Sequence, residues 1–191
     1  MKTRIALTAV TLLLGACSLS PTAPPRAVYD LGPAPATATS GGAIAWRIAD
    51  VSAPPWLGGE GIAYRLAFQQ AQRREYYRDS FWAAPPAALL TQRLRERLAP
   101  PPACTGRPTA LLTVGLDEFE QVFTGPTNSQ VVLRLHATLW PAGATGPALQ
   151  QHWRLERQAA TPDASGAVQA LALAVDEWLP QLDGWLAASC R

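Results

Sequence analysis

The chain has 191 residues, of which 48% are hydrophobic and 16% are charged, with 16 basic side chains against 14 acidic ones. This length is enough for one domain with a hydrophobic core but is short for two. The near balance of charge gives no basic footprint for nucleic acid and no cluster of basic residues for anionic lipid headgroups, so neither kind of partner is predicted.

Residues 1–16 have the pattern of a secretory signal peptide. Two basic residues precede a short apolar run, residues 5–14, which is too short to span a bilayer. The run ends in Leu14-Gly15-Ala16-Cys17, which resembles the bacterial lipobox. In lipobox proteins the cysteine thiol accepts a diacylglycerol, and cleavage leaves the acylated cysteine as the N-terminus. An ordinary cleaved signal followed by an incidental cysteine is the alternative.

The lipobox resemblance implies that Cys17 anchors the protein through an N-acyl diacylglycerol, and no other cofactor is expected. Several acyl chains bury many methylene groups, at about 0.8 kcal/mol each, so the attachment is effectively permanent. In lipoproteins of Gram-negative bacteria an aspartate after the cysteine usually retains the protein at the inner membrane. Ser18 stands there instead, which implies the periplasmic face of the outer membrane.

Residues 17–42 are predicted to form the anchor and a linker, and residues 43–191 a single globular domain. The linker segment is rich in Pro, Ala, Ser and Thr, which offer little to bury and favour an extended chain. The short apolar stretch 28–31 is the exception, and it is predicted to begin the fold as an edge strand.

Cys104 and Cys190 remain once Cys17 is modified. An even pair in an oxidising compartment predicts a disulfide between them, with two separate free thiols as the alternative. No Cys-x-x-Cys motif and no grouping of cysteine with histidine is present, so a metal or redox site is not predicted.

Period-two alternation of apolar residues predicts three strands in the first part of the domain, within residues 44–48, 62–68 and 74–78. Their short connections favour an antiparallel meander. A helix is then predicted to begin at Ser80 or at Pro85-Pro86, with leucines on its buried face and Arg93, Arg95, Glu96 and Arg97 mostly turned to water.

Three further strands are predicted at 109–121, 131–140 and 149–157, the last two joined as a hairpin. A second helix follows at about 165–188, which Pro180 should kink or split. The order β-β-β-α-β-β-β-α predicts an α+β fold, with an antiparallel sheet of about six strands and both helices packed on one face.

Catalytic chemistry is not predicted. His136 and His152 could be neighbours across the hairpin, but no third metal ligand and no nucleophile motif accompany them. Asp117, Glu118 and Glu120 could act as an acid and base pair, or they could mark a bulge or a charged sheet edge. The glycines at 58–61 are not followed by a helix, so they do not predict a phosphate site.

Aromatic residues are concentrated before the first helix, where Tyr76, Tyr77, Phe81 and Trp82 flank Arg78. Such residues could be core anchors, because aromatic side chains dominate cores. They could also form a partner-binding face, because Tyr, Trp and Arg are enriched at interfaces.

A family resemblance rests on the lipobox and on two further segments. These segments are Trp56-Leu57-Gly58-Gly59-Glu60-Gly61-Ile62-Ala63-Tyr64-Arg65 and Tyr76-Tyr77-Arg78-Asp79-Ser80-Phe81-Trp82-Ala83-Ala84-Pro85-Pro86. The chain resembles the ABC-type transport auxiliary lipoproteins, also called PqiC-like proteins, over most of residues 28–188. It departs from them in a longer Pro/Ala-rich linker and in having no lysine after the leader.

The resemblance implies a non-catalytic component of an MCE-type system that transports lipid or another apolar molecule between the two membranes. The implied partner is a periplasmic MCE-domain protein, and Tyr76, Tyr77, Phe81, Trp82 and Arg78 are the predicted contacts. A structural lipoprotein that assists outer-membrane or secretion-complex assembly is the alternative function, and a periplasmic hydrolase is disfavoured by the missing nucleophile and base.

Overall fold

The computed structural model describes residues 25–35, 46–98, 110–140 and 149–188. Cys17, Cys104 and Cys190 lie outside these ranges, so the acylation and the disulfide stay predictions. Among the described residues, no helix combines the length and the apolar character that crossing a membrane requires.

Seven strands and three α-helices make up the described fold. The strands are β1 (Ala27–Tyr29), β2 (Trp46–Ile48), β3 (Gly61–Leu66), β4 (Glu75–Trp82), β5 (Ala110–Phe123), β6 (Ser129–Trp140) and β7 (Leu149–Gln158). The helices are α1 (Ala67–Gln70), α2 (Pro86–Arg97) and α3 (Ala164–Ala188), and a 3₁₀ turn lies at Pro55–Leu57.

The strands form one sheet in the order β1-β4-β3-β5-β6-β7, with β2 also paired to β5. The prediction of an antiparallel sheet is wrong, because β1 pairs with β4, and β2 and β3 pair with β5, in parallel. The predicted meander is also wrong. Strand β5 is 14 residues long, and β2 and β3 lie end to end along the same side of it. Alternation identifies strands but not their partners.

The C-terminal half of the sheet matches the sequence analysis more closely. Strands β5, β6 and β7 are antiparallel neighbours, so the predicted hairpin of β6 and β7 is confirmed. The register of β5 shifts between Leu116 and Glu118, which confirms the bulge at the acidic cluster. Strand β5 is central in the sheet, so the alternative of a charged edge there is wrong.

The helix boundaries show where α2 begins and whether Pro180 divides α3. Helix α2 begins at Pro86, whereas Ser80 lies within β4. Proline is well tolerated in the first turn of a helix, where its missing N–H would have no partner. Helix α3 continues through Pro180 to Ala188 and is not split in two. Phe68, which was predicted to lie in a strand, lies in α1 and is 41% exposed.

Helices α2 and α3 pack on the same side of the sheet and share one buried cluster with it. Leu90 and Leu94 of α2, and Leu171 and Leu179 of α3, belong to this cluster. Two ion pairs join the helices, Arg93 to Asp176 and Arg97 to Asp183.

Arg93 was predicted to face water, but its side chain is only 4% exposed. Its guanidinium donates to the carbonyl oxygens of Leu31 (2.8 Å) and Gly32 (2.6 Å) as well as facing Asp176. These acceptors explain how a charged side chain is held inside, since buried charge is stable only when it is paired and hydrogen-bonded. Arg93 therefore ties the segment after β1 to the helices.

Candidate partner-binding surface

The two faces of the sheet differ in chemistry, as β6 shows. Its odd-numbered residues from Val131 to Leu139 face α3 and are at most 4% exposed. Its even-numbered residues include Arg134, His136 and Trp140 and lie on the opposite face, which we call the open face. The two long helices, α2 and α3, both pack on the other face.

Tyr76 and Trp56 form the aromatic part of the open face near β3. Tyr76 is 45% exposed, and its hydroxyl donates to the carbonyl oxygen of Trp56 (2.8 Å). A Cβ at Gly61 would lie 2.7 Å from the Tyr76 ring, so a glycine there lets the ring lie flat on β3. The guanidinium of Arg74 stacks on the Trp56 ring at 3.4 Å from its centroid, a close cation–π contact.

A buried carboxylate supports this surface from below. Glu120 has a side chain only 2% exposed, and it accepts hydrogen bonds from Arg65 (2.7 Å) and from two atoms of Arg74 (2.7 and 3.1 Å). Burial alone would raise the pKa of Glu120, but the hydrogen bonds and charges of Arg74 and Arg65 hold it below its usual value. Glu120 therefore stays ionised and fixes Arg74 over Trp56.

Phe81 extends the surface toward the edge of the sheet. Its register partner on β1 is Val28, which is 64% exposed. The guanidinium of Arg26 lies over the Phe81 ring, 4.4 Å from its centroid. We call Trp56, Tyr76 and Phe81, with Arg26, Arg74 and Arg78, the arginine–aromatic surface. Arg78 has a side chain that is 84% exposed and pairs with Asp79 at 2.8 Å.

The remaining two of the predicted contacts lie on the helix side of β4. Trp82 is 1% exposed, and its ring centroid is 5.3 Å from that of Phe119 in the core. Tyr77 is half-buried, and its hydroxyl donates to Gln121 (2.6 Å). Burial, the negative charge of Asp163 and the neighbouring Tyr64 raise the pKa of Tyr77. The structure thus separates the predicted set, with Tyr76, Arg78 and Phe81 on the open face and Tyr77 and Trp82 supporting them.

The two histidines are neighbours on the open face, as predicted. His136 and His152 are register partners on β6 and β7, with ring centroids 5.8 Å apart. His136 lies across Gly115 and contacts Asp117 through Nδ1 (3.1 Å). Asp117 is the extra residue of the β5 bulge, which turns its carboxylate toward this side.

Each acidic residue of the cluster has its own side-chain partners. Asp117 contacts His136, Glu118 pairs with Arg134 and Arg154, and Glu120 pairs with Arg65 and Arg74. The three carboxylates therefore contact different partners and share none.

A cleft of about 350 Å³ lies beside His136, and Ser52 lines it. The Ser52 hydroxyl donates to the carbonyl oxygen of Val114 (3.4 Å), not to His136. Within residues 25–35, 46–98, 110–140 and 149–188, no group of three or more His, Cys, Asp and Glu side chains could hold a metal ion. The arrangement is suited to recognition through aromatic and arginine side chains.

Trp56 and the Glu120 network were not predicted as parts of the site. Trp56 was named only as part of the segment that carries the family resemblance. Nothing in the local pattern shows that Arg65 of β3, Arg74 just before β4 and Glu120 of β5 converge. The one available signal was a tryptophan before a Gly-Gly pair, at the position where the chain must turn back toward the sheet.

Comparisons with known proteins identify a matching family and two solved structures of similar fold. A sequence profile for a family described as "ABC-type transport auxiliary lipoprotein component" matches residues 29–182. A crystal structure described as that of an uncharacterized protein has a TM-score of 0.65 at 18% identity, covering 85% of this chain and 99% of the other. A protein of Xanthomonas campestris from the DUF330 family has a TM-score of 0.63 at 17% identity, covering 84% and 90%.

At such low identity the two solved structures are evidence of a common fold alone. No curated protein is significantly similar to the chain in sequence.

Proposed function

Because the chain belongs to the family of ABC-type transport auxiliary lipoprotein components, we propose that it is a non-catalytic part of an MCE-type system that moves lipid between membranes. In this proposal the acylated Cys17 holds the domain at the periplasmic face of the outer membrane. The linker segment after Cys17 gives it reach, and the arginine–aromatic surface docks a periplasmic MCE-domain protein.

The family match over residues 29–182 carries the proposal, since it spans nearly the whole described fold. The chemistry of the open face supports it. Tyr76 and Phe81 offer aromatic area, and Arg78 offers a nearly fully exposed guanidinium. Aromatic and arginine side chains commonly provide most of the binding energy of a protein interface.

The support beneath the surface fits a binding role. Tyr76 is held by Trp56, and Arg74 is held by both Trp56 and Glu120, so these groups are ordered before a partner arrives. A surface that is already ordered loses less conformational entropy on binding. Trp82 and Tyr77 act in this proposal by positioning β4 and not by contact.

The test is purification of the full-length protein from native membranes, with mass spectrometry of its N-terminus and of the proteins that co-purify. An acylated Cys17 together with an MCE-domain protein is the expected result. An acylated Cys17 with only envelope-assembly proteins would overturn the transport function and favour the structural lipoprotein.

The surface is tested by Tyr76→Ala combined with Arg78→Glu, which should lower recovery of the MCE-domain protein at least tenfold. Arg95→Glu is the matched control, because Arg95 lies on α2 and its side chain is 57% exposed. Far-UV circular dichroism should be the same for all variants. Equal recovery with the double variant and the control would exclude this surface as the docking site.

A further inference from the structure

An exposed apolar patch lies at the β1 edge of the sheet. Val28 of β1 is 64% exposed and Leu173 of α3 is 51% exposed, the two largest values among the large apolar side chains of the described residues. A groove of about 400 Å³ beside β1 is lined by Val28, Val168, Ala172 and Gln169, among others. Leu173 follows Gln169 by one helical turn and therefore borders the groove. We call Val28, Leu173 and this groove the β1 edge patch.

The opposite edge of the sheet, at β7, has a different chemistry. Its arginines are ion-paired within the chain, since Arg154 pairs with Glu118 and Glu156, and Arg157 pairs with Glu177. Paired charges of this kind are well suited to water. A group of exposed apolar side chains around a groove instead marks a site for a protein, a ligand or a membrane. Of the two edges, the β1 edge therefore favours an apolar partner.

The position of the patch along the chain indicates which partner it meets. Eight residue steps separate Cys17, the predicted acylation site, from Pro25, which stands two residues before β1. Even a fully extended chain of eight residues spans at most about 29 Å. An acylated Cys17 therefore keeps the β1 edge close to the bilayer surface. A tether of this length gives the patch a high effective concentration at the membrane, so weak contacts are sufficient.

We propose that the β1 edge patch contacts the phospholipid bilayer that holds the acylated Cys17. In this arrangement Val28, Leu173 and the groove lie against the boundary between the headgroups and the acyl chains. The inference rests on the proposed function only through the acylation of Cys17. Because the contact is mainly apolar, it does not require the cluster of basic residues that the sequence lacks.

Arg26 fits the same orientation. It is exposed, it stands just before β1, and its guanidinium lies 4.4 Å from the centroid of the Phe81 ring. Arginine side chains keep their charged group among polar headgroups while the stem lies on apolar surface, and the guanidinium group binds phosphate well. Tyr76 lies outside the part of β4 that pairs with β1, Ser80–Trp82, so a bilayer at this edge leaves it available to a protein partner.

The experiment is photo-crosslinking of the acylated protein in vesicles of phosphatidylethanolamine and phosphatidylglycerol. Benzoylphenylalanine replaces Val28, Leu173 or, as the matched control, Leu149, which is 46% exposed at the opposite edge. Mass spectrometry should find at least fivefold more phospholipid adduct at positions 28 and 173 than at position 149. Equal yields at the three positions, or adducts at positions 28 and 173 that are mainly to protein, would overturn the proposal.

A second variant tests the apolar character of the contact. Val28→Glu, with benzoylphenylalanine kept at position 173, should lower the phospholipid adduct at least threefold, because a carboxylate is costly to bring into the apolar layer. Leu149→Glu is the control and should leave the yield unchanged. Far-UV circular dichroism should be the same for both variants. A yield that Val28→Glu does not lower would contradict a bilayer contact at this edge.

The same samples separate this inference from the proposed function. Mass spectrometry of the N-terminus reports the acylation of Cys17, and an unmodified Cys17 would overturn the anchor and this inference together. An acylated protein without the expected adducts would overturn the bilayer contact alone. Recovery of the MCE-domain protein, measured separately, tests the docking surface whatever the adducts show.

Discussion

The helix side and the open face of the sheet use the same strands for different purposes. On the helix side, Leu133 and Leu135 of β6 are completely buried under α3. On the open face of the same strand, Arg134 is 47% exposed and His136 is 41% exposed. Consecutive residues of β6 thus alternate between the buried apolar core and the ion-paired side chains of the open face.

This comparison indicates that the helix side determines the fold, whereas the open face can vary in what it binds. The helix side is stabilised by apolar burial, which tolerates few changes of volume. The open face is organised by charge and hydrogen bonds around Glu120, so its exposed residues can be changed with little cost in stability.

The first prediction compares two aromatic residues of β4. Trp82→Ala removes a buried indole that packs on Phe119 and should lower the free energy of unfolding by about 3–5 kcal/mol. Tyr76→Ala removes a half-exposed ring and one hydrogen bond, and should cost about 1 kcal/mol. Urea unfolding measures both. Similar losses for the two variants would contradict the division of β4 into a buried and an exposed side.

The second prediction concerns Glu120. Glu120→Gln leaves Arg65 and Arg74 without their shared negative charge, but both guanidinium groups reach water, so the expected loss is about 1–3 kcal/mol at pH 7. Glu118→Gln is the control, because the partners of Glu118 are half-exposed arginines; the expected loss is below about 1 kcal/mol.

The pH profile sharpens this test. Because the folded pKa of Glu120 lies below its unfolded value, the stabilisation is complete above the unfolded pKa and is lost as the pH falls through the folded pKa. The difference in stability between the natural protein and Glu120→Gln should therefore be constant above about pH 5 and shrink below about pH 4. A difference that does not change with pH would show that Glu120 acts by shape and not by charge.

The third prediction uses two glycines. At Gly166, at the start of α3, an added Cβ would meet the backbone carbonyl of Thr161, which cannot move aside. At Gly115 it would meet the ring of His136, which can rotate away. Gly166→Ala should cost about 1–3 kcal/mol and Gly115→Ala less than about 1 kcal/mol. Thermal unfolding would contradict this explanation if the order were reversed.

Much of the fold was predictable because burial imposes a period on the sequence. The helix predicted at about 165–188 and the strand predicted at 131–140 are both present as α3 and β6, and each buries one regularly spaced face. Strand partners were not predictable from the same signal. Alternation states which face of β2 or β3 is buried but not that both strands lie along β5, which depends on the length of β5 and on the path of residues 49–60.

The candidate site was predictable only as a segment. Its aromatic residues were predicted as a group of partner contacts. The sequence did not indicate that Tyr76 faces outward while Trp82 is buried. The two residues differ because the register of β3 and β4 shifts between Gly61 and Ala63. Arg93 shows a second limit. Arginine in a helix is ordinarily exposed, and only the tertiary structure brings the carbonyl groups of Leu31 and Gly32 to it.

The contact of Arg93 with Leu31 and Gly32 also has a mechanical consequence. Residues 1–24 join the described domain at Pro25, so any tension along that segment enters the domain through β1. The three pairs of β1 with β4 receive this tension first, and the two carbonyl groups clasped by Arg93 pass the remainder to α2. A pull from the N-terminal side is thus divided between β4, where Phe81 lies opposite Val28, and the helix layer.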